Sequence, residues 1–469
     1  MFKSRTITTS VLIALGLTAP NAAFSQDSEN EFTLEEIVVT ARKVGESIQD
    51  IPLSVQAFSA QQIMKQQITD VEDLVSFTPG VVMHNQLGSR NNPAISFRSI
   101  ESSSERNKQT SSAFVDGVYL PGSSQWVSMN DIERVEVVKG PQSAFFGRAT
   151  FGGAINFITK TPGNEWKGDI TAIIGDHGRQ DIWLAGEGPI IKDKLSFRVS
   201  GRFYEFDGGV WDNSPPPGGA PEGRQFGDLG SQETTAGSVT LFATPTENLS
   251  IKFRHQVTED DDGPSPIFLI KGENNNCGPF GNGTATYYCG TLSTGLISNG
   301  VSSATDPIVD TTYKDDVGLD REITMTNLNV DWDIGGSGYV LSSVSGWYND
   351  ETADYRTLLE DELDVFLEWE DTSFSQEIRL ASPQDSRFRW MIGAYYLDLE
   401  YFKNAQTGFP SAGVGPFTFN PLTGGFDPRG GRGLFGVNPT PSETIENKAI
   451  FGSIGFDITD KLTVSVELR

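Results

Sequence analysis

The sequence predicts a mainly β protein in which a mixed α/β domain precedes a transmembrane antiparallel β-barrel. Three observations predict this class. The 469 residues are 37% hydrophobic and 10% aromatic with 50 glycines, which is enough apolar material for a large folded core. Helical and strand patterns mix up to about residue 160, and two-residue alternation of apolar and polar side chains follows. Short and long polar links alternate between these segments, as in membrane-spanning barrels.

The charge balance argues against a nucleic-acid partner. The chain has 62 Asp and Glu residues against 35 Lys and Arg residues, a formal net charge of -27. A protein that follows a phosphate backbone needs a basic face. We therefore expect no nucleic-acid partner.

The N-terminus has the pattern of a secretory signal peptide. Lys3 and Arg5 precede the apolar stretch Val11–Ala19, and Ala23–Ser25 supplies the small residues of a cleavage site. We expect residues 1–25 to be removed. No other stretch is apolar enough for a membrane helix, so a membrane protein with this sequence must be a barrel.

The chain has two cysteines, Cys277 and Cys289, in a stretch rich in Gly and Asn. An exported chain meets an oxidising environment, so two nearby cysteines favour a disulfide over a metal site or a catalytic thiol. The alternative is a pair of free thiols.

Residues 46–160 are expected to form the mixed α/β domain. Leu53–Phe58 is an extended segment, and Ser59 is placed to cap a helix over Ala60–Gln67. A second helix is expected over Asp70–Phe77, ending at the breaker Thr78–Gly80. Short strands are predicted at Val81–Met83, Ala94–Arg98, Ala113–Val118, Val135–Lys139 and Gly152–Thr159.

Residues 166–469 are expected to form the barrel. In Lys194–Phe203 the odd-numbered positions are apolar or small, whereas Lys, Ser and Arg occupy the even-numbered ones. Leu249–Thr258 and Leu462–Arg469 repeat this pattern. The segments have about the length that a tilted membrane strand needs. Alternation also fits a soluble β-sandwich, so the links have to decide between the two architectures.

Short and long links alternate strictly along this region. Outer-membrane barrels have tight periplasmic turns and long extracellular loops, whereas a sandwich has no reason to gather its long loops at one end. We therefore expect the long connections, including the one with the two cysteines, to be extracellular. The long connections are Asp207–Glu233, Glu259–Asp320, Asn349–Asp371 and Lys403–Glu443.

The number of strands predicts that the barrel is incomplete. We count about 11 strands, whereas single-chain bacterial barrels close with an even number. An open sheet would leave unpaired backbone groups in lipid, at a cost of several kcal/mol for each group. We therefore expect the chain to be the N-terminal part of a longer protein.

Several motifs, in this order, resemble those of TonB-dependent outer-membrane receptors. Glu36–Ala41 resembles the TonB box, which lies in the leader at 26–45. The signatures of the plug domain, expected at 46–160, are similar to Asp50–Val55, Phe77–Val81, Val115–Val118, Val137–Gln142, Phe146–Gly147 and Gly152–Asn156. Each motif alone is weak, but their order is specific. About half of the family's barrel would be present, at 166–469.

The resemblance implies a plug inside a barrel of about 22 strands in the outer membrane of a Gram-negative bacterium, in contact with lipid and lipopolysaccharide. It implies active import powered by TonB with ExbB and ExbD. The usual cargo of the family is a ferric siderophore, and cobalamin and oligosaccharides are alternatives. A passive porin or an adhesin barrel is the alternative of another class, but a porin needs neither a folded domain in its lumen nor a TonB box.

The predicted coupling segment consists of Glu36, Ile37, Val38, Val39, Thr40 and Ala41. Its β-forming residues and the absence of charge between Glu36 and Arg42 suit strand addition, in which main-chain hydrogen bonds to a partner carry the affinity. The alternative is an ordinary strand of the plug.

The predicted contacts between plug and barrel involve charged residues. Arg98 and Lys139 occupy positions similar to basic residues that face the wall in the family. Phe374 and Ile378 share one face of a predicted strand, so Glu377 is expected to face the lumen. We predict that Glu377 pairs with Arg98 or Lys139; the alternative is that it faces water.

Two serines depart from the family pattern. Ser99 and Ser143 stand where glycine is usual. If the backbone needs a positive φ at these positions, a serine has to adopt it.

The acidic runs Glu259–Asp262 and Glu360–Asp364 fall in predicted outer loops. They are expected either to be solvated or to gather cations.

The sequence offers little support for catalysis. His84, His177 and His255 are scattered over unrelated elements, and no nucleophile elbow, zinc spacing or phosphate loop is present. We expect no enzyme activity, no cofactor and no metal site. The sequence does not identify the residues that bind the transported ligand.

Overall fold

The structure is a computed structural model that describes residues 38–469 with gaps. The gaps are 41, 50, 86–89, 91–92, 103–107, 123, 209–229, 264, 266–268, 271–275, 279–287, 291–296, 299–317, 359–362, 409–417, 421–424, 428–434 and 460. The predicted signal peptide and three residues of the predicted TonB box, Glu36, Ile37 and Ala41, lie outside the described residues. None of the described helices is long and apolar enough to cross a membrane.

The two predicted helices of the N-terminal domain are present. Helix α1 spans Ala60–Lys65 and helix α2 spans Val71–Ser76. Ser59 caps α1 through a capping box, in which its hydroxyl accepts from the Gln62 amide and the Gln62 side chain accepts from the Ser59 amide. The Asp70 side chain accepts from the Asp73 amide and caps α2 in the same way.

The strands of this domain form three small sheets. Strands β3, β9, β10, β7 and β8 make the largest sheet, in that order, and β4, β5 and β6 make the second. Strands β1 and β2 form an antiparallel ribbon. The ten strands are β1 Val38–Val39, β2 Glu46–Ser47, β3 Ser54–Ser59, β4 Val81–Asn85, β5 Pro93–Phe97, β6 Ile100–Glu101, β7 Ser111–Val115, β8 Val118–Leu120, β9 Ile132–Lys139 and β10 Gly153–Thr159.

The core of this domain lies between the helices and the five-stranded sheet. Ile63 and Leu74 from the helices pack with Val135 and Phe157 from the sheet, and each is at most 4% exposed. Burying an aliphatic or aromatic side chain of this size contributes about 1.5–3 kcal/mol. The same cluster also includes Ile323, Met325, Val344 and Tyr348 from the strands that follow, so the core of the domain continues onto those strands.

The second half of the chain forms an 11-stranded antiparallel sheet, which confirms the predicted fold class and strand number. Among the described residues, its first and last strands, β11 and β25, each pair with one neighbour only, so the sheet does not close on itself. Two-stranded hairpins, β16 with β17 and β22 with β23, lie within its long connections. The strands are β11 Lys167–Ile174, β12 Gln180–Ile191, β13 Leu195–Phe206, β14 Gln232–Thr246, β15 Leu249–Asp262, β16 Leu269–Ile270, β17 Ile297–Ser298, β18 Gly318–Asp333, β19 Val340–Leu358, β20 Leu363–Ala381, β21 Phe388–Gly408, β22 Thr418–Asn420, β23 Gly425–Asp427, β24 Phe435–Thr459 and β25 Leu462–Leu468.

The two faces of the large sheet have opposite chemistry. On the outer face, apolar side chains such as Ile170, Leu184 and Phe203 are between 41% and 78% exposed. On the inner face, polar side chains such as Arg198, Arg254 and Thr258 are at most 4% exposed because the N-terminal domain covers them. This is the arrangement of a membrane barrel with a polar lumen. The N-terminal domain is therefore a plug.

Two of the predicted long connections are wrong. Most of Asn349–Asp371 belongs to β19 and β20, which pair up to Leu358 and Leu363. Strands β21 and β24 likewise extend into Lys403–Glu443. These strands have 19–25 residues, more than a bilayer requires. Acidic and polar residues are frequent in Asn349–Asp371, which is why the sequence there resembles a loop.

Link length gives the direction of the sheet across the membrane. Only residues 247–248 separate β14 from β15, and 334–339 separate β18 from β19. Residues 263–317 separate β15 from β18 at the opposite end. Since tight turns belong to the periplasmic side, the ends of the strands near residues 246, 333 and 381 are periplasmic.

Gly346 marks a close approach between the barrel wall and the plug, and it supplies a first prediction. A methyl group on Gly346 would overlap Val118 Cγ1. Gly346→Ala should therefore destabilise the complete receptor by about 1–3 kcal/mol, as overpacked sites do. Thermal unfolding followed by near-ultraviolet circular dichroism measures this loss.

Gly186→Ala is the matched control for that substitution, because no atom lies within 4 Å of a methyl group built on Gly186. Its effect should stay within about 0.5 kcal/mol. Equal effects of the two substitutions would contradict close packing of Val118 against β19.

Candidate functional site

The N-terminal segment folds into a hook, which we define as residues 38–40 and 42–47. In the hook, β1 turns back onto β2, with Val38 opposite Ser47 and Val39 opposite Glu46. Val39 is fully buried, whereas Val38 is 50% exposed. The described part of the predicted TonB box is therefore docked against the plug.

Thr40 binds the hook to the five-stranded sheet of the plug. Its amide donates to Glu136 Oε1 at 2.9 Å, and its hydroxyl lies 3.1 and 3.2 Å from the two oxygens of the same carboxylate. Glu136 is fully buried, and Arg134 donates to it at 2.9 Å. A buried carboxylate with these donors is a strong acceptor.

Lys43 binds the hook to the barrel wall. Its Nζ lies 3.3 Å from Glu377 Oε2 and 5.1 Å from the centre of the Phe146 ring. The side chains of Lys43 and Glu377 are 8% and 6% exposed, and Arg379 donates to the same carboxylate at 2.8 Å. Burial lowers the pKa of Lys43 below its ordinary value, and the Glu377 carboxylate offsets this only in part. The charge of Lys43 therefore depends on Glu377.

Arg42 provides a further attachment of the hook. It lies 3.0 Å from Glu46 within the hook and 3.0 Å from Glu467 on β25. Its guanidinium also lies 5.8 Å from the centre of the Phe145 ring. The hook therefore contacts the plug and two strands of the wall.

The predicted ion pair of Glu377 with Arg98 or Lys139 is wrong. Glu377 lies on the plug-facing side of β20, but its cationic partners are Lys43 and Arg379 rather than Arg98 or Lys139. Arg98 is exposed, and Lys139 donates to Gln56 Oε1 and to the Pro79 carbonyl within the plug. The path of the hook places Lys43 nearer to the wall than the two predicted residues.

One of the two serines that replace glycine adopts the left-handed conformation. Ser99 has φ 67°, and Arg98 before it has φ 49°. Ser143 is not among the described residues with positive φ. The chain therefore turns after β5 without the glycine that is usual there.

A buried ion cluster fixes the plug to the opposite part of the wall. Asp131 accepts from Arg198 Nε at 2.9 Å and from Arg254 Nη2 at 3.0 Å. The Ser238 hydroxyl donates to the same carboxylate at 3.1 Å, and Arg198 also donates to Glu187 at 2.6 Å. One plug carboxylate is therefore shared by three wall strands, β13, β14 and β15.

The electrostatics of this cluster favour the charged form of Asp131. Burial alone would raise the pKa of this carboxyl, but the guanidinium groups of Arg254 and Arg198 outweigh it and hold the pKa below its ordinary value. Removing one partner of such a buried pair is costly because the remaining charges stay buried.

Neighbouring contacts extend the same attachment. Lys252 Nζ lies 3.3 Å from Asp116 Oδ1 and donates to the Thr159 carbonyl at 2.7 Å. On β18, the Asn327 and Asn329 side chains donate to the backbone carbonyls of residues 115 and 116. The plug is therefore bound to strands β13–β15 and β18 by direct hydrogen bonds and ion pairs.

Arg90 holds the plug at the extracellular end. It binds both carboxylate oxygens of Asp262, and it also contacts Asp260 at 3.1 Å and the Thr234 hydroxyl at 2.9 Å. Arg321 donates to Asp260 from β18. The acidic run Glu259–Asp262 is therefore the end of a strand with two buried carboxylates, and its prediction as an outer loop is wrong.

The remaining predicted site residues lie away from this interface. Cys277 and Cys289 form a disulfide with a Cα–Cα distance of 5.7 Å. Glu360 of the second acidic run lies outside the described residues. Among the described residues, no group of three or more His, Cys, Asp or Glu side chains is arranged to hold a metal ion.

Sequence reasoning missed Lys43, Asp131 and Arg90. Asp131 falls at the end of a single turn of 3₁₀ helix, Met129–Asp131, which carries no periodic signal. The arginines at inward positions of β13 and β15 were a usable signal, because a buried lumen-facing arginine needs a carboxylate on the plug.

Comparisons with known proteins agree with this architecture. Residues 47–154 match the TonB-dependent Receptor Plug Domain family. The chain is 30% identical over 213 residues to the iron-regulated outer membrane virulence protein of Vibrio cholerae, covering 42% of this chain and 31% of that protein. It is 35% identical over 151 residues to the probable TonB-dependent receptor BfrD of Bordetella pertussis, covering 31% of this chain and 19% of that protein.

A solved structure shows the same fold. The ferric yersiniabactin uptake receptor FyuA from Yersinia pestis superposes with a TM-score of 0.63 at 17% identity, covering 88% of this chain and 64% of that one. The large sheet has a polar inner face that surrounds a folded plug. This arrangement is that of the plugged outer-membrane β-barrels. Over residues 47–154 the chain is similar to the plug domain of TonB-dependent receptors, and as a whole it has the fold of plugged outer-membrane β-barrels. It spans about a third of the length of the Vibrio relative that it matches.

The Asp131 cluster supplies a second prediction. Asp131→Asn should weaken docking of the plug by about 3–5 kcal/mol, because the buried charges of Arg198 and Arg254 then lack the negative charge of Asp131. Trypsin susceptibility of the plug in the complete receptor measures the loss. Asp385→Asn, in an exposed turn, is the control and should change nothing. Equal protease resistance of the two variants would contradict the assignment.

The low pKa of Asp131 also predicts a pH dependence. The carboxyl binds its proton less tightly in the docked plug than in the unfolded chain. Its contribution is therefore complete above the ordinary value of 3.8 and is lost as the pH falls through the lowered value. Two further carboxylates face Arg198, since Glu187 and Asp169 lie 2.6 and 3.5 Å from its guanidinium.

The melting temperatures of wild type and Asp131→Asn should thus differ at neutral pH and converge in strong acid. A difference that stays constant down to the lowest accessible pH would show that the charge of Asp131 does not contribute.

Proposed function

We propose that this protein imports a scarce ligand across the outer membrane, with energy supplied by TonB together with ExbB and ExbD. The observation that carries this proposal is the hook. The hook includes Val38, Val39 and Thr40 of the predicted coupling segment, and a small number of polar contacts hold it. A segment of this kind is accessible to a periplasmic partner and can be detached by force.

Strand addition is the mode of coupling that the hook supports. Val38 is half exposed, and the segment pairs with a two-residue strand only. A partner that offered a longer strand edge would form more main-chain hydrogen bonds than β2 does. Force applied through such a strand is transmitted along the backbone, without chemistry by side chains.

The cargo that we propose is a ferric siderophore. The Vibrio relative is named as iron-regulated and the Yersinia structure as a ferric yersiniabactin uptake receptor. The buried contacts between plug and wall argue against a passive porin, since they fill the lumen of this part of the barrel. Cobalamin and oligosaccharides remain alternative cargoes.

Val38→Pro tests the proposed coupling. Proline removes a backbone donor and fixes φ, so strand addition at this position should fail. Uptake of radioactive iron from a panel of ferric siderophores should fall to the level of a strain without the receptor, while binding at the cell surface persists. Val38→Ile is the matched control and should transport normally. Normal uptake by Val38→Pro, or in a strain without TonB, would favour a passive barrel.

A further inference from the structure

An apolar groove of about 560 Å³ lies on the outer face of the large sheet, across β11, β12 and β13. Clefts that hold small ligands have volumes of roughly 300–1,000 Å³. Among the described residues, none from the plug lines the groove, so it opens toward the membrane rather than toward the lumen. Its outward-facing lining residues are Gly168, Ile170, Leu184, Gly186, Val199 and Gly201.

Glycines form the floor of the groove and aliphatic side chains form its sides. Gly168 lies opposite Gly186 on the neighbouring strand, and the exposed side chains of Ile170, Leu184 and Val199 surround this pair. Two adjacent strands without side chains leave a gap of roughly 10 Å. A helix with its side chains is about 10–12 Å across, so the gap is too narrow for a helix. An extended hydrocarbon chain fits the gap because it carries no side chains.

Packing within the chain does not explain the glycines of the floor. No atom lies within 4 Å of a methyl group built on Gly186, and the nearest atom to one on Gly168 is a backbone carbonyl oxygen at 3.7 Å. Both glycines pair in regular register, and neither has a positive φ. A glycine inside a regular strand often marks the close approach of a ligand. The space above the floor is therefore available to a molecule outside the chain.

The groove lies in the half of the wall nearest the periplasm. Residues 192–194 form the tight turn between β12 and β13, at the same end as the other short links. Val199 lies four residues beyond the first residue of β13, Leu195. This is roughly 13 Å along the strand and about 10 Å of height at the tilt of such strands. Since the apolar band of these barrels is about 25 Å tall, the groove faces the hydrocarbon of the periplasmic leaflet.

An aromatic side chain closes the periplasmic end of the groove. A methyl group on Gly188 would overlap the Trp166 ring, so this ring packs directly over the strand. The Trp166 ring also meets the ring of Phe197 edge-on, with 5.7 Å between the ring centres. Trp166 is 73% exposed. Tryptophan is enriched at the level of lipid headgroups, where its ring stays in an apolar layer and its N–H reaches polar groups.

The turn beyond Trp166 carries a net positive charge. Lys192 and Lys194 are exposed in it, on either side of Asp193. Basic residues at a membrane surface attract anionic lipid headgroups. The groove and the turn together are therefore complementary to a molecule with apolar chains and an anionic head.

We propose that the groove binds one anionic phospholipid of the periplasmic leaflet. Its acyl chains lie over Gly168 and Gly186, and its phosphate lies beside Lys192 and Lys194 below the Trp166 ring. The inference does not depend on the proposed import function, because neither a cargo nor TonB takes part in it.

Native mass spectrometry of the complete receptor tests this site. The receptor is purified in a mild detergent and titrated with dioleoylphosphatidylglycerol, and the spectra count the lipids that stay bound. Gly186→Leu fills the floor and should weaken binding by about ten-fold or more, because the acyl chains lose their apolar contact. Ala394→Leu adds the same bulk on the outer face of β21 and is the matched control, with unchanged binding expected.

The headgroup contact is tested by the double substitution Lys192→Gln and Lys194→Gln. It should weaken binding of the same lipid by about five-fold or more, because each lysine near a membrane surface attracts an anionic lipid. Lys461→Gln, in the exposed link between β24 and β25, is the control and should leave binding unchanged. The two lysines lie in an exposed turn, so this variant keeps the test valid if Gly186→Leu fails to assemble.

Three results would overturn the site. They are unchanged lipid binding in both the groove and the turn variants, equal losses in these variants and their controls, and a receptor dimer that Gly186→Leu abolishes. The last result would assign the groove to a second copy of the chain. A wild-type receptor that binds the lipid at this site but takes up no ferric siderophore would contradict only the proposed import function.

Discussion

The structure depends on the constraint that a polar lumen wall must be satisfied by the plug inside it. Arg198 and Arg254 point inward from the wall and are almost completely buried. An isolated buried guanidinium is very costly, so each needs a carboxylate, and Asp131 serves both. The plug therefore does more than fill space. It supplies the negative charge that allows the inward-facing arginines of the wall to be buried away from water.

The plug makes more contacts with β13–β15 and β18 than the hook makes with β20 and β25. We therefore expect the two attachments to differ in how easily they break. On β13–β15 and β18 the contacts are buried, multiple and in part bidentate. On β20 and β25 the contacts come from the short hook, whose ribbon pairs over two residues only. The hook has fewer contacts than the sheet of the plug, although its Lys43–Glu377 pair is also buried. A force applied at the N-terminus is therefore expected to detach the hook before the sheet of the plug.

Local sequence patterns predicted the elements of the fold well. Ser59 was identifiable as a helix cap, and alternation in Lys194–Phe203 predicted both the strand and its two faces. The long strands were predicted less well, since Asn349–Asp371 is rich in acidic residues although most of it belongs to β19 and β20. The partner of Glu377 could not be predicted, because it depends on where the chain of the hook passes rather than on any local pattern.

Hydrogen exchange of the complete receptor in detergent, with and without the purified periplasmic domain of TonB, tests this account most directly. The account predicts that TonB removes protection from the amides of 38–40 and 42–47. The strands Ile132–Lys139 and Gly153–Thr159 should remain as protected as before. Loss of protection throughout the plug, or a hook as strongly protected as these strands, would contradict a firmly held plug with a detachable hook.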